Sequence, residues 1–459
     1  MSGRRVEPPS SMPQTDISQD VILSKLVTYL RARGRDADLI NKLPTGYCSG
    51  FATLAAYGQW LEWQPKRIDE KTHQPIPRDD WTWFQSTLRL LARWDGRSKL
   101  SKLDKQDIER LLSLVEYFQN IHDYLPIAQG DWHESLTDTQ KRQLTKEYSV
   151  AGLFTAENLL AVLPALVHED RMILIGSHNH AVSLLKHEGH YYFYDANSSD
   201  GVHVCSVQDV SLLVNRLFSA MDFDQATPSP LGFCMFNFDG QPATYPPHEA
   251  LLQQVQYHQP SPGYANNTTA LHMAVHVGSV ESTSIHAAQG GINLLDSDGV
   301  TPAFIAAQNG YVDVLRVLAA SGADLNQTLP DGTTSAMMAA QNANVLRVLA
   351  ESGADLNQAR LDGITPAIIA AAYGRADTVN FIRSIKQRDS FLSQLDVILR
   401  RQLSVEEIKL VDELRGKITK EWGLCNNDTW AEKISTLETK IEDRSAASPD
   451  RERKRLRKS

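Results

Sequence analysis

The sequence predicts an α+β domain followed by an all-α repeat solenoid and a closing set of helices. Three observations carry that reading. A turn-plus-helix motif recurs at Asp298, Asp331 and Asp362, spacings of 33 and 31 residues. Upstream, β-forming residues flank a turn at Glu188-Gly189, the signature of a hairpin. After Phe391 the pattern turns helical again, with Ser404-Val405-Glu406-Glu407 reading as a capping box in which the serine and the second glutamate satisfy each other's amides.

The boundaries follow from shifts in composition. Residues 1–20 are polar and rich in Pro and Ser and read as disordered; 21–240 mix helix and strand patterns; 241–263 form a Pro-rich connector. Residues 264–390 hold about four repeats, 391–444 a helical cap in which Asp428 caps the last helix, and 445–459 a basic tail. A chain of 459 residues has room for about two to four domains. With 42% hydrophobic and 22% charged residues it can bury ordinary cores. A net charge of -9 argues against a general nucleic-acid binder, because a phosphate backbone demands clustered positive charge. The exception is the tail, Arg451 to Lys458, which reads equally as a nuclear import address and as a solvated end. The four cysteines, Cys48, Cys205, Cys234 and Cys425, form no CxxC pair, so neither a disulfide framework nor a zinc knuckle is expected, and the setting is a reducing one. No apolar core of a secretory signal and no spanning helix is expected.

The repeats have a physical grammar. Asp298-Gly299-Val300-Thr301-Pro302-Ala303 returns as Asp331 to Ala336 and as Asp362 to Ala367, and a diverged copy is Asn267-Thr268-Thr269-Ala270-Leu271-His272. Val314 to Ala319 matches Val345 to Ala350, and each is followed by Ser-Gly-Ala-Asp-Leu-Asn. Glycine after aspartate suits a turn needing positive φ, Thr-Pro suits the first turn of a helix, and Gly322 and Gly353 suit helix ends. In the third copy Asn342-Ala343-Asn344 replaces Asn309 to Asp313, so its interhelical loop should be tighter. A period of about 33 residues with this signature identifies ankyrin repeats. Such arrays grip proteins and carry no chemistry of their own, and the helices after Phe391 are the candidate C-terminal cap. Leu329, Pro330, Arg360 and Leu361, beside the turns, are the candidate partner-binding residues.

A second pattern lies upstream. Gly46-Tyr47-Cys48-Ser49-Gly50 precedes an apolar stretch, Phe51 to Trp63, that reads as a helix. A cysteine opening a helix sits where the dipole and free amides stabilise a thiolate. If Glu188 and Gly189 centre the hairpin turn, His180 faces Asn197 and Asp195 faces Val182, so His180 and Asp195 are neighbours on one face. An aspartate so placed can orient the imidazole and fix its tautomer. Taken singly, each residue has a structural reading: a packed cysteine, a strand histidine, a turn-forming aspartate. A rival use of the same stretch is zinc, through His178, His180, His187, His190, His203 and Cys205, but no carboxylate or thiol pair completes a recurrent signature. The expectation is therefore no metal and no cofactor.

The order Cys, His, Asp, with the cysteine opening a helix and the others on adjacent strands, resembles the papain-like cysteine proteases. Within them it resembles the bacterial effector proteases of the Yersinia YopT and Pseudomonas AvrPphB families. Their His-Ala-Val and Tyr/Phe-Asp-Pro-Asn pattern is echoed by His180-Ala181-Val182 and Tyr194-Asp195-Ala196-Asn197, with alanine at 196 where that family has proline. The resemblance implies a papain-like fold in which Cys48 is the nucleophile, His180 the general base and acid, Asp195 the orienting carboxylate and Asn41 the upstream oxyanion donor. With repeats behind such a domain, the chain resembles the Legionella ankyrin-repeat effectors of the AnkH family. That implies delivery by a specialised secretion system into the cytoplasm or nucleus of a host cell, where the array docks a host protein and the thiol site hydrolyses or modifies it. Deamidation and acyl transfer use the same nucleophile and stay open, as does a non-catalytic scaffold with the same fold.

Overall fold

The computed structural model describes residues 17–33, 48–63, 81–119, 145–177, 180–198, 202–237, 243–253, 268–296, 298–400, 403–420 and 430–442. They form two compact units, residues 1–324 and residues 325–459. The first holds α1 (Gln19–Ala32), α2 (Cys48–Trp63), α3 (Trp81–Arg93), α4 (Lys102–Gln119), β1 (Thr145–Phe154), α5 (Ala156–Leu166), β2 (Arg171–Gly176), β3 (Ala181–His187), β4 (His190–Asp195), β5 (Val202–Ser206), α6 (Val210–Ala220), β6 (Ser229–Asn237) and α7 (His248–Gln253). The first two repeats belong to the same unit, as α8 (Ala270–His276) with α9 (Val280–Ala287), and α10 (Pro302–Gln308) with α11 (Val312–Ala320).

The strands make one antiparallel sheet in the order β1-β6-β2-β3-β4-β5. Strand side chains alternate between its faces, and both are buried. Met172, Leu174, Leu185, Tyr194 and Phe236 pack with α1 to α4, while Ile173, Ile175, Leu184, Phe193 and Phe233 pack with α5 and α6. The N-terminal half is thus an α+β region around an antiparallel sheet. Glu147 on β1 is a buried charge held by several donors: Tyr245 Oη (2.5 Å), Asn237 Nδ2 (3.0 Å) and the Ala243 amide (3.2 Å), with the Arg171 guanidinium 3.3 Å away. A buried carboxylate without such partners would be costly. These bonds tie the segment before α7 to three strands.

The outer edge of β1 is closed by the first repeat. The Ser149 carbonyl accepts from Ser279 Oγ and from His248 Nε2, both at 2.8 Å. The Ala151 amide donates to Ser282 Oγ (3.3 Å), and the Ala151 carbonyl accepts from His286 Nε2 (2.8 Å). Residues 149 and 151 are the alternate positions whose backbone groups point away from β6, so side chains complete the ladder that another strand would have made. Met273, Ala274 and Val277 of this repeat join the same core as α1 to α4. Gly232 on β6 permits the approach: a Cβ there would lie 2.4 Å from Val277 Cγ1.

The repeats form as their residues dictate. Thr269, Thr301, Thr334 and Thr365 each cap an inner helix by accepting from the amide three residues on. His272 binds three elements together. Its Nδ1 accepts from the Thr269 amide (3.2 Å), and its Nε2 donates to the carbonyls of Leu294 (3.1 Å) and Val300 (3.3 Å). In the second unit the third repeat is α12 (Ser335–Met338), a 3-10 turn (Ala339–Gln341) and α13 (Ala343–Glu351), and the fourth is α14 (Pro366–Ala372) with α15 (Ala376–Leu399). The shortened third copy behaves as expected: Asn342 alone is linker and cap, accepting from the amides of Asn344 and Val345. Helix α15 runs without a break past residue 390, and with α16 (Val405–Lys420) and a last helix over 430–442 it buries Leu395, Ile398, Val411, Trp430 and Ile434. The Ser404–Glu407 capping box is present, with reciprocal bonds of 2.7 and 3.3 Å. Asp428 lies outside the described residues.

Two outcomes follow. Gly232→Ala forces the sheet and the first repeat apart and should destabilise the chain by about 1–3 kcal/mol, the usual range for overpacking, read by urea unfolding. Burial holds the imidazoles of His272 and His286 below their ordinary value of 6.5. Below pH 6.5 the unfolded chain therefore takes up these protons first, so their contribution is complete above 6.5 and shrinks as pH falls. The melting temperature should drop between pH 7 and 5, and drop less steeply in His286→Gln; equal slopes would contradict this account.

Candidate functional site

The site grows from a tight turn. Glu188 (φ 46°) and Gly189 (φ 76°) both take positive φ, the geometry that matches the twist of a two-residue hairpin. The turn pairs His187 with His190 and Val182 with Asp195, the register drawn from the sequence. His180 lies one residue before the first ladder pair of β3, Gly176 with Ala181, at the end of the sheet. There His180 Nε2 meets Asp195 Oδ1 at 2.7 Å, with only 6% and 13% of the two side chains exposed. The same carboxylate oxygen accepts from the Asn197 amide (2.9 Å), and Asn197 Nδ2 reaches His180 Nδ1 at 3.3 Å. The turn closes without proline at 196: the Ser198 amide donates to the Asp195 carbonyl (3.1 Å), and the carbonyl of buried Ala196 accepts from the Gln19 amide (2.7 Å). An ionised carboxylate only accepts, so this geometry suits the tautomer with its proton on Nε2, and Nδ1 is the nitrogen that meets Asn197.

Cys48 is the first residue of α2, which packs against β2, β3 and β4 and against α3 and α4. Phe51, Leu54, Ala55 and Tyr57 are fully buried, as expected of a helix apolar on most sides. The Cys48 side chain and all of Asn41 lie outside the described residues. Burial pushes the thiols of Cys205 and Cys234 up, the direction of unreactive cysteines.

Three further histidines of the same stretch have partners of their own. His187 Nδ1 meets Asp170 Oδ1 at 2.7 Å and its ring stacks on Trp63; His190 Nδ1 donates to the Glu188 carbonyl; His203 meets Arg216 and Ser198. His178 lies outside the described residues. The sequence pointed to neither the His187–Asp170 pair, which depends on a left-handed turn at Asp170, nor the docking of α1 on Ala196, which joins segments far apart in the chain.

At the repeat tips, Leu361 is 83% exposed and Pro330 is exposed, whereas Leu329 is half-buried. Arg360 is committed within the tips: it binds Asp362 through two bonds, which hold that carboxyl down to about 2, and lies 4.0 Å from Asp331. The Leu361 amide donates to the Asp331 carbonyl (3.0 Å), so neighbouring tips are laced together.

The family model described as ankyrin repeats, in three copies, matches residues 247–329. No curated protein matches the chain. Among the described residues no helix is long and apolar enough to cross a membrane. The class defined so far is an α+β region carrying ankyrin repeats, and those repeats support protein–protein interaction.

Asp195→Ala leaves His180 Nε2 without its acceptor in a buried setting and should cost about 1–3 kcal/mol of stability, with Asp195→Asn costing less. Equal unfolding midpoints for the two variants and the parent would show that the pair is not holding the turn.

Proposed function

We propose that the chain is a host-directed effector that docks a protein through its ankyrin repeats and acts on it with a papain-like thiol site of Cys48, His180 and Asp195. One observation carries the reading: an imidazole backed by a buried carboxylate at 2.7 Å, at the end of a sheet against which a helix beginning with a cysteine is packed. In the tautomer that Asp195 favours, Nδ1 exchanges its contact with Asn197 Nδ2 for the thiol proton. The thiolate then attacks a carbonyl carbon of the docked protein, and the imidazolium returns the proton to the departing amine. Water hydrolyses the thioester, restoring the thiol. Amides at the start of α2 favour the thiolate and suit the developing oxyanion, with Asn41 as the upstream donor. Deamidation and acyl transfer differ only in leaving group or acceptor. The exposed tip residues Pro330 and Leu361 are the contacts offered to the partner, and the tail, 445–459, is a nuclear address inside a host cell. What supports effector delivery is the sequence resemblance alone.

Iodoacetamide labelling tests the chemistry. Cys48 should react at neutral pH at least about 10-fold faster than glutathione, since a depressed thiol pKa raises the thiolate fraction, and His180→Ala should abolish the excess. A Cys48 that reacts no faster than glutathione would sink the thiol site. The match to ankyrin repeats would then favour a second reading, a scaffold whose triad is idle. A pull-down from host extract with wild type and Cys48→Ala checks the target: a shortened partner seen only with the wild type is the expected result.

A further inference from the structure

The far end of α2 is anchored as deliberately as its start is placed. Trp63, the last residue of the helix, stacks flat on the His187 ring, centroids 4.0 Å apart and planes 9° off parallel. Tyr192 closes the indole edge-on at 4.8 Å. His187 cannot turn away, because its Nδ1 is held at 2.7 Å by Asp170. Asp170 is itself set in a left-handed turn (φ 52°), its amide donating to the Lys186 carbonyl at 3.0 Å. Among the described residues, the exposed Glu188 carboxylate lies 4.0 Å from Nε2, and the neighbouring pair Lys186–Glu169 is 3.3 Å apart.

The clamp grips β3 at its last residue, and His180 precedes the first residue of the same strand. The helix from Cys48 to Trp63 rises about 22 Å. The strand path from His180 to His187 is about 23 Å. These lengths agree within a residue. A helix on β3 with Trp63 held at His187 is therefore long enough for its first residue, Cys48, to reach the level of His180.

We infer that Trp63, His187 and Asp170 are positioning residues: they set where α2 begins along β3 and so hold Cys48 level with the His180–Asp195 pair. This rests on the thiol reading above. None of the three touches the reacting atoms, and their effect passes through the helix. Misplacing a reacting group by about 1 Å can cost on the order of 100-fold in rate, so a slack anchor some 22 Å away matters.

The test is the rate of Cys48 alkylation by iodoacetamide against pH, on the full chain, located by mass spectrometry. Trp63→Ala should slow Cys48 at neutral pH by at least about 10-fold, as expected for lost placement, and shift the profile to that of glutathione. Trp63→Phe, which keeps an aromatic face for His187, should recover most of the rate. His187→Leu, on the other ring of the stack, should repeat the loss if Trp63→Ala does not fold, circular dichroism reporting the fold. Wild-type rate and profile in folded Trp63→Ala or His187→Leu, with His180→Ala still slow, would overturn the clamp and leave the thiol site standing. A wild-type Cys48 that behaves like glutathione would defeat the thiol site, and the clamp with it.

Discussion

The hydrogen bonding of the outer edge of β1 governs the first compact unit. That strand ends the sheet, so without a neighbour its amide and carbonyl groups would be buried unpaired or left open to a foreign strand. Ser279, Ser282, His286 and His248 supply the missing partners. The solution has two consequences. The first repeat shares a core with the sheet instead of hanging from it, as Met273 and Val277 in the α1–α4 core demonstrate. The sheet in turn covers the end of the array, which a solenoid otherwise needs a polar cap to finish.

Beyond those sealed faces and that edge lies the end of the sheet. There the alternation that assigns each strand residue to a core no longer applies, and a histidine and an aspartate can meet. Their meeting depends on a short chain of local decisions: a turn with two positive φ angles, a register that follows from it, and an aspartate whose second task is to close its own turn onto Asn197. Helix α2 lies against the same strands, so any chemistry at its start is tied to the placement of the whole helix.

Much of this was legible in the sequence because it is local. Asp-Gly turns, Thr-Pro helix starts, the shortened third copy, the Ser404–Glu407 box and the Glu188-Gly189 hairpin each involve residues within a few positions of one another. Backbone sterics and short hydrogen bonds decide such features before any long-range packing. The juxtaposition of His180 with Asp195 was legible for the same reason, since one turn separates their strands.

Other features were decided only by the tertiary structure. Nothing in the order of residues says that His286 will bond to Ala151, that Gly232 must be bare for Val277, that α1 docks on Ala196, or that Trp63 will lie on His187. Each joins segments separated by many residues whose own preferences are satisfied in several ways, and burial favours among them the arrangement that pairs most of the buried polar groups. By itself the sequence determined the repeat grammar, the hairpin and its histidine–aspartate pair. The folded chain decided which edge the repeats would close and which ring would anchor the helix, because desolvation acts on atoms that only folding brings together.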